Sequence, residues 1–283
     1  MNKREVCNKL KDVIVKVFSV DQEGKVISPG TGVFIDPDGL ILTANHVVKN
    51  RTSSPRQIFV IPYRGGERIP AFVALGDISS EISGQESLRP LKMDLAILAT
   101  IPRKNYPYIQ LEEDLPSEGT EVIMAGCPED LKPPLDFHDA MRFEKPELKA
   151  RELDIRAFAS SVIPWIMFKH GIVGNTVPIN LKGKFDFLDS QIPLAIHAAE
   201  FWIDNSIAQC ASGGPVVNMR GNLVSIITET GEVDATDHIS GEVSFSVPSG
   251  STRSLSHKLI TWSIPKLRDQ VNKIRVQSSA HAS

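Results

Sequence analysis

Cysteine is scarce: Cys7, Cys127 and Cys210 are the only three in 283 residues. Their odd number and wide separation argue against a disulfide framework, and thiols kept reduced in a cytoplasm are the expected state. Cysteine and histidine nowhere fall at ligand spacing, so no metal and no cofactor is expected. No run approaches the roughly 20 apolar residues needed to cross a bilayer. The start, Met1 to Cys7, carries charge with no apolar stretch of signal-peptide length behind it. The expectation is a cytoplasmic protein without a membrane partner. Charge of one sign is lacking too. The 31 Lys and Arg nearly balance the 34 Asp and Glu, for a net charge of −3, which leaves no basic stripe for nucleic acid.

What is present is short apolar segments. Val13–Phe18, Gln57–Pro62 and Ala71–Leu75 are rich in Val, Ile and Phe, and Gly, Pro and Asp punctuate the chain around such runs. That pattern predicts an all-β chain, and a 41% hydrophobic composition is ample for a packed core. Against this background the stretch Cys210-Ala211-Ser212-Gly213-Gly214-Pro215 stands out. It sets a serine on a glycine-rich turn between two apparent strands, with its hydroxyl exposed and backbone N–H groups beside it. A serine hydroxyl is a weak nucleophile alone, so acyl transfer also needs a base and a group to orient that base. Candidates lie upstream. Thr43-Ala44-Asn45-His46-Val47 puts His46 on a short helical turn after a strand, and Met93-Asp94-Leu95-Ala96-Ile97-Leu98 puts Asp94 at the mouth of another.

In order along the chain, the segments Gly30-Thr31-Gly32-Val33-Phe34-Ile35, the His46 box, the Asp94 strand and the Ser212 turn resemble the chymotrypsin-like (trypsin-fold) serine proteases. The similarity is closest to the Deg/HtrA type and runs from about residue 13 to 271. Gly119–Pro128, Gly171-Ile172-Val173-Gly174 (as a turn), Asp204–Pro215, and Ile260–Pro265 (as a final strand) before Lys266–Val271 are smaller echoes. The order His, Asp, Ser separates the chain from α/β-hydrolases and from subtilisin-type enzymes. The resemblance implies two six-stranded antiparallel β-barrels, at 10–112 and 118–263, within one peptidase domain spanning 1–275. A closing helix at 264–275 and a tail at 276–283 follow, with too little chain beyond it for the PDZ domain that Deg-type enzymes commonly append. Secreted relatives of trypsin carry paired cysteines, which this chain does not.

The same resemblance implies a serine endopeptidase acting through His46, Asp94 and Ser212 on exposed segments of protein or peptide substrates, with Asp77 the distant alternative to Asp94. The backbone N–H groups of Cys210 and Ser212 would form the oxyanion hole. The family nearly always has glycine where Cys210 stands, and a residue with a Cβ is penalised at φ > 0. Three readings follow: a working hole in another backbone conformation, an inactive resting state, or a degenerate protease. The last connects to the alternative function, a trypsin-fold module that binds peptides or partners without cutting them. Ser206, six residues before the nucleophile, brings no charge to the specificity pocket, so a preference for cationic side chains is not implied. Thr228, Glu229 and Thr230 would pair with the substrate backbone as an added strand. The region between Pro128 and Gly171, with a charged helix over 142–156 and a buried strand within 158–168, is either a surface excursion or a gate, and its insertion 131–162 would then answer to a regulatory protein partner. The loop from 230 to 253 would border the cleft.

Overall fold

The computed structural model describes residues 1–20, 26–49, 57–63, 67–76, 79–80, 91–101, 105–127, 166–187, 190–207, 210–230 and 250–280. Strands β1 (Ile14–Val20), β2 (Val26–Phe34), β3 (Leu40–Thr43), β4 (Gln57–Pro62), β5 (Ile69–Leu75) and β8 (Ala96–Thr100) close a first antiparallel barrel in the order β1-β2-β3-β8-β5-β4. A ribbon of β6 (Ser79–Ser80) and β7 (Leu91–Lys92) lies outside it. Strands β9 (Glu121–Gly126), β10 (Met167–Phe187), β11 (Ser190–Ile203), β12 (Pro215–Asn218), β13 (Leu223–Thr230) and β14 (Thr252–Ser256) close a second, in the order β10-β11-β14-β13-β12-β9. The fold is therefore all-β, two six-stranded barrels of the trypsin type with a C-terminal helix.

The period-2 alternation of a strand explains why several of these segments read as unbroken apolar runs. Val15, Val17, Ile41, Ala96 and Leu98 join Phe34 and Val60 in one buried cluster, the interior of the first barrel. Their neighbours Ile14, Leu40, Leu42, Ile97 and Ala99 belong to another cluster, together with Ile123, Ala125, Val217 and Leu223 of the second barrel. The second barrel's own interior takes Val122, Met124, Phe201, Val216 and Ile227. Each barrel thus turns one face of these strands inward, and the other face of β3, β8, β9 and β12 meets at the seam. That shared seam fixes the barrels against each other, and with them any side chains they jointly present.

Helices complete the seam. Helix α1 (Lys3–Val13) was not anticipated, although its signal is local: Asn2 Oδ1 accepts the Glu5 N–H and Glu5 Oε2 accepts the Asn2 N–H, each at 3.0 Å. This capping box precedes Val6, Leu10 and Val13, which are buried one above another in the shared cluster. Helix α2 (Asn45–Val48) carries His46. The residues expected as a final strand, 260–265, are instead parts of two helices joined by a turn at Trp262 and Ser263. They fall in α3 (Lys258–Thr261) and at the start of α4 (Ile264–Ala280), and the last strand is β14. Helix α4 also continues past 275, where its end was expected. Its Arg268 Nε donates to Asp36 Oδ2 at 2.8 Å, and Arg275 donates to the carbonyls of Thr100 and Asp38 at 2.9 and 2.7 Å. Pro265 at its first turn lacks only an N–H that the helix could not use there.

A second correction concerns Gly171–Gly174. This segment is the interior of β10, not a turn, and β10 pairs with β11 from Val173↔Ile203 to Phe187↔Ser190 as one long hairpin. Asp77, the helix expected over 142–156 and the whole of 131–162 lie outside the described residues, as does the loop interior 231–249. The segment expected to hold a strand within 158–168 is described only from Ile166, and β10 begins at Met167.

The connector between barrels is pinned rather than loose. Ile109 N–H donates to Phe34 O at 2.9 Å, and Glu112 N–H and Leu223 N–H bond across to Leu223 O and Gln110 O at 2.8 Å each. Burial pushes the Glu112 carboxyl up, but bonds from the Asp114 N–H and from Arg220, Asn222 and Asn218 outweigh it and hold it below the usual range. Behind this connector His257 is 4% exposed. Its Nε2 lies 3.0 Å from Glu112 O, a contact that requires the proton on Nε2.

Burial, assisted by Lys258 and opposed by the Glu112 carbonyl, pushes the His257 pKa down to about 4. Between that value and about 6.5 the unfolded chain binds a proton that the folded one refuses, so stability is complete above 6.5 and declines as pH falls toward 4. The full loss is bounded at roughly 3 kcal/mol. Urea titrations at pH 7 and 5 should show the decline, and His257→Gln, which keeps a donor for Glu112 O, should remove this share of it. Equal slopes in the two proteins would refute this assignment.

Candidate active site

Strand β3 delivers the chain into α2 so that His46 sits at its first turn, two residues after the buried Ala44. Asp94 lies just before β8, which pairs with β3 through Thr43↔Ala96. This pairing brings together two residues 48 apart in sequence. Asp94 Oδ2 is 2.7 Å from His46 Nδ1, and Asp94 Oδ1 accepts the backbone N–H of His46 at 2.8 Å. One carboxylate thus holds both the ring and the backbone that carries it. Among the described residues Nε2 has no partner, and both side chains are one-third exposed. The bond at Nδ1 places the ring proton there and leaves Nε2 as an acceptor.

Ser212 comes from the second barrel, on the turn between β11 and β12. From Cys210 to Gly214 each peptide of that turn is tied down. Gly214 N–H donates to Ala211 O at 2.8 Å, Gly213 N–H to Ile227 O at 2.8 Å, and Ile227 N–H to Gly214 O at 2.9 Å. From the first barrel, Thr31 N–H donates to Ser212 O at 2.9 Å and Thr31 Oγ1 donates to Cys210 O at 3.1 Å. The turn is therefore seated on β2 beside the helix that carries His46. Gly30 has Ser212 O and the Val47 side chain at van der Waals range, close enough that a Cβ there would fall 3.2 Å from the former and 2.5 Å from the latter. A hydrogen bond between Ser212 Oγ and His46 Nε2 is not formed in this structure. In unliganded enzymes such bonds are commonly long and tighten when substrate arrives.

Gly213 shows how close the approach is. Its φ is +85°, and a Cβ there would lie 2.0 Å from Thr31 O and 3.0 Å from the backbone nitrogen of Ala44. Gly213→Ala should therefore cost more than about 3 kcal/mol through left-handed strain and a clash with immovable backbone. Thermal unfolding checks this: a shift under about 3 °C would mean the seam is looser than the geometry shows.

Cys210 adopts φ 65°, and among the described residues it is the one non-glycine residue with positive φ. The chain thus reaches the conformation that glycine would take freely, and bears the Cβ penalty there. Among the described residues no acceptor faces the N–H of Ser212. The peptide that carries this N–H is fixed at its other end, where Ala211 O receives the Gly214 N–H.

The residues expected to meet substrate lie along one wall. In β13, Ile227 pairs with Ser254 and Glu229 with Arg253, so Thr228 is the extra residue of a bulge and Thr230 pairs with Thr252. Beyond Ile227 no strand pairs with the other edge of β13 among the described residues. Thr252 joins this wall to the segment holding Ser206, since its Oγ1 donates to Asn205 O at 2.8 Å and accepts the Ile207 N–H at 3.3 Å. Glu229 is exposed and pairs with Arg253 at 3.2 Å, and that arginine is held by Glu200 through contacts of 2.7 and 2.8 Å. Sequence reasoning missed Thr31, Thr252 and Arg253. Thr31 stood in view inside the Gly30–Ile35 strand, but only the tertiary contact reveals its two bonds to the turn. Among the described residues no group of His, Cys, Asp and Glu is arranged to hold a metal ion, and no helix is long and apolar enough to cross a membrane.

Comparisons with known proteins agree with this architecture. The fold resembles a serine endoprotease from Yersinia pestis, with a TM-score of 0.54 and 21% identity over 94% of this chain and 66% of that one. The chain thus spans about two thirds of the Yersinia protein's length. It also resembles a protease from M. tuberculosis in its active form, with a TM-score of 0.53 and 17% identity over 93% of this chain and 83% of the other. Both likenesses concern the fold. In sequence, the family described as trypsin-like peptidase domain matches residues 30–226, from the strand that seats the Ser212 turn to the strand that follows it. A match over more than half the chain, on two barrels joined at that turn, makes this protein a member of the trypsin-like peptidase family.

Proposed function

We propose that the protein is a serine endopeptidase that cuts extended segments of other proteins through an acyl-enzyme. The observation that carries this reading is the double grip of Asp94 on His46, on a barrel against which the Ser212 turn is seated. Ser212 Oγ attacks the scissile carbonyl carbon while its proton passes to His46 Nε2. The tetrahedral oxyanion is met by the N–H groups of Cys210 and Ser212. Collapse breaks the C–N bond, the leaving amine takes the proton from Nε2, and Ser212 is left as an ester. Water then repeats the sequence, giving its proton to Nε2, and the ester bond breaks to free the acid and the serine hydroxyl. Asp94 stays ionised throughout, keeping Nδ1 protonated and stabilising the imidazolium.

Substrate would lie along the unpaired edge of β13 at Thr228–Thr230, adding a strand to the barrel through main-chain bonds. Ser206 supplies no charge, so small or medium apolar side chains at the cleavage position fit this wall better than Lys or Arg. The left-handed Cys210 supports activity over the non-cutting alternative, because the backbone already has the conformation a glycine would give. Accordingly Cys210→Gly should change kcat by less than about threefold, and a gain near 10² would instead show that the cysteine suppresses the oxyanion site. A fluorophosphonate probe tests the reading itself. It should label the folded wild-type protein at Ser212 and fail on Ser212→Ala, and a folded wild type that takes up no probe would end the peptidase reading.

A further inference from the structure

Thr31 is wholly buried in β2, contributes nothing to the proton path, and still touches the Ser212 turn twice. Its N–H donates to Ser212 O at 2.9 Å, and its hydroxyl donates to Cys210 O at 3.1 Å. The same hydroxyl oxygen accepts the Cys127 N–H at 2.9 Å, at the end of β9. Its carbonyl accepts Thr43 Oγ1 at 2.6 Å, three residues before His46. One residue of the first barrel therefore ties together the strand leading to His46, the end of β9 and the two carbonyls that flank Ala211.

We infer that Thr31 is a positioning residue for the oxyanion-binding amides, and that its hydroxyl is what lets a cysteine occupy a position suited to glycine. This rests on the peptidase reading and names a residue that reading does not use. A left-handed residue with a Cβ is under constant pressure to relax to negative φ. Relaxation at residue 210 must rotate either the peptide before it, which carries the Cys210 N–H, or the peptide after it. The bond from Thr31 Oγ1 fixes the peptide after it by its carbonyl. With Ser212 O also held, and Ala211 O held by the Gly214 N–H, the peptides from residue 210 to residue 213, including the one that carries the Ser212 N–H, are set before substrate arrives, and Cys210 is anchored on its carbonyl side. Preorganised donors of this kind count in the transition state, where charge develops on the oxygen, more than in substrate binding. The consequence falls on kcat.

The test is a cycle of Thr31→Val and Thr31→Ser, each made with and without Cys210→Gly, assayed on a peptide substrate after the active sites are counted with the fluorophosphonate. Valine keeps the volume and removes the donor; serine keeps the donor. Thr31→Val is expected to lower kcat by about 10²-fold, the scale of losing one oxyanion donor, with KM changed much less. Thr31→Ser should stay within about threefold of wild type. The loss from Thr31→Val should shrink below about tenfold when Cys210→Gly is also present, because glycine feels no pressure to leave positive φ. A role confined to stability would lower the melting temperature without this kcat pattern or this coupling. If Thr31→Val does not fold, Thr31→Cys in reducing buffer keeps a weak donor in similar volume and should give an intermediate kcat. An unchanged kcat in folded Thr31→Val, an equal loss in Thr31→Ser, or strict additivity with Cys210→Gly would overturn the inference while leaving the peptidase reading intact. A wild type that the probe does not label would overturn both.

Discussion

Replacing Ser212 by alanine is expected to lower kcat by about 10⁶-fold while leaving the protein folded. The size follows from the division of labour in the turn. Among the described residues, the turn is shaped by bonds from backbone groups of residues 210 to 214 to one another, to the Ile227 backbone and to Thr31, and Ser212 Oγ makes none there. Alanine therefore keeps the architecture and deletes only the attacking atom. What remains is binding and the oxyanion amides, which in such sites leave a residual advantage of about 10³–10⁴ over water. Melting temperatures should agree within about 2 °C, in keeping with a substitution at a half-buried site that breaks no bond. Single-turnover kinetics on a peptide substrate gives the answer. A variant that retains more than about a tenth of wild-type kcat would mean that another group attacks the carbonyl.

The second large effect belongs to Asp94. Its two oxygens serve two donors of the same residue, the His46 ring at 2.7 Å and the His46 backbone at 2.8 Å. Asparagine has one oxygen and one NH₂ in that place. If its oxygen stays on the backbone N–H, its NH₂ faces Nδ1, and the ring must carry its proton on Nε2. An Nε2–H can donate to the serine hydroxyl but cannot accept its proton. Asp94→Asn should therefore lower kcat by about 10⁴-fold at neutral pH, with KM little changed and the fold intact. A loss under about tenfold would show that Asp94 is a structural clasp only, and that His46 is oriented by something else.

How much of this was open to sequence reading depends on the distance over which each signal acts. The strands were legible where turn residues bound short apolar runs, as at Gln57–Pro62, which is β4 to the residue. Helix α1 was legible in principle from Asn2, Glu5 and the spacing of Val6, Leu10 and Val13, and was missed because the first strand follows it directly. The region 260–265 misled for the opposite reason: its apolar residues suit a buried strand as well as a buried helix. Its assignment turned on Ser263 and Pro265, which start α4. Strand β10 carries glycines at 171 and 174 that suggest a turn, yet Gly171 pairs with Val122 of β9 and Gly174 is the extra residue of a bulge between the pairs Val173↔Ile203 and Asn175↔Trp202.

The sequence by itself determined that the chain is all-β, because period-2 patterning and the spacing of turn residues are local properties that survive without coordinates; the closing of those strands into two barrels was implied only by the resemblance of its four ordered motifs to the trypsin-fold proteases. It also determined which histidine, aspartate and serine were worth watching, since their neighbours define the strand ends on which they sit. Tertiary structure alone decided that Asp94 grips both ring and backbone of His46, that Cys210 takes a left-handed backbone, and that Thr31 holds the turn around it. Those are contacts between residues 48 to 181 positions apart. They depend on the angle at which two barrels share one apolar seam, and no local pattern encodes that angle.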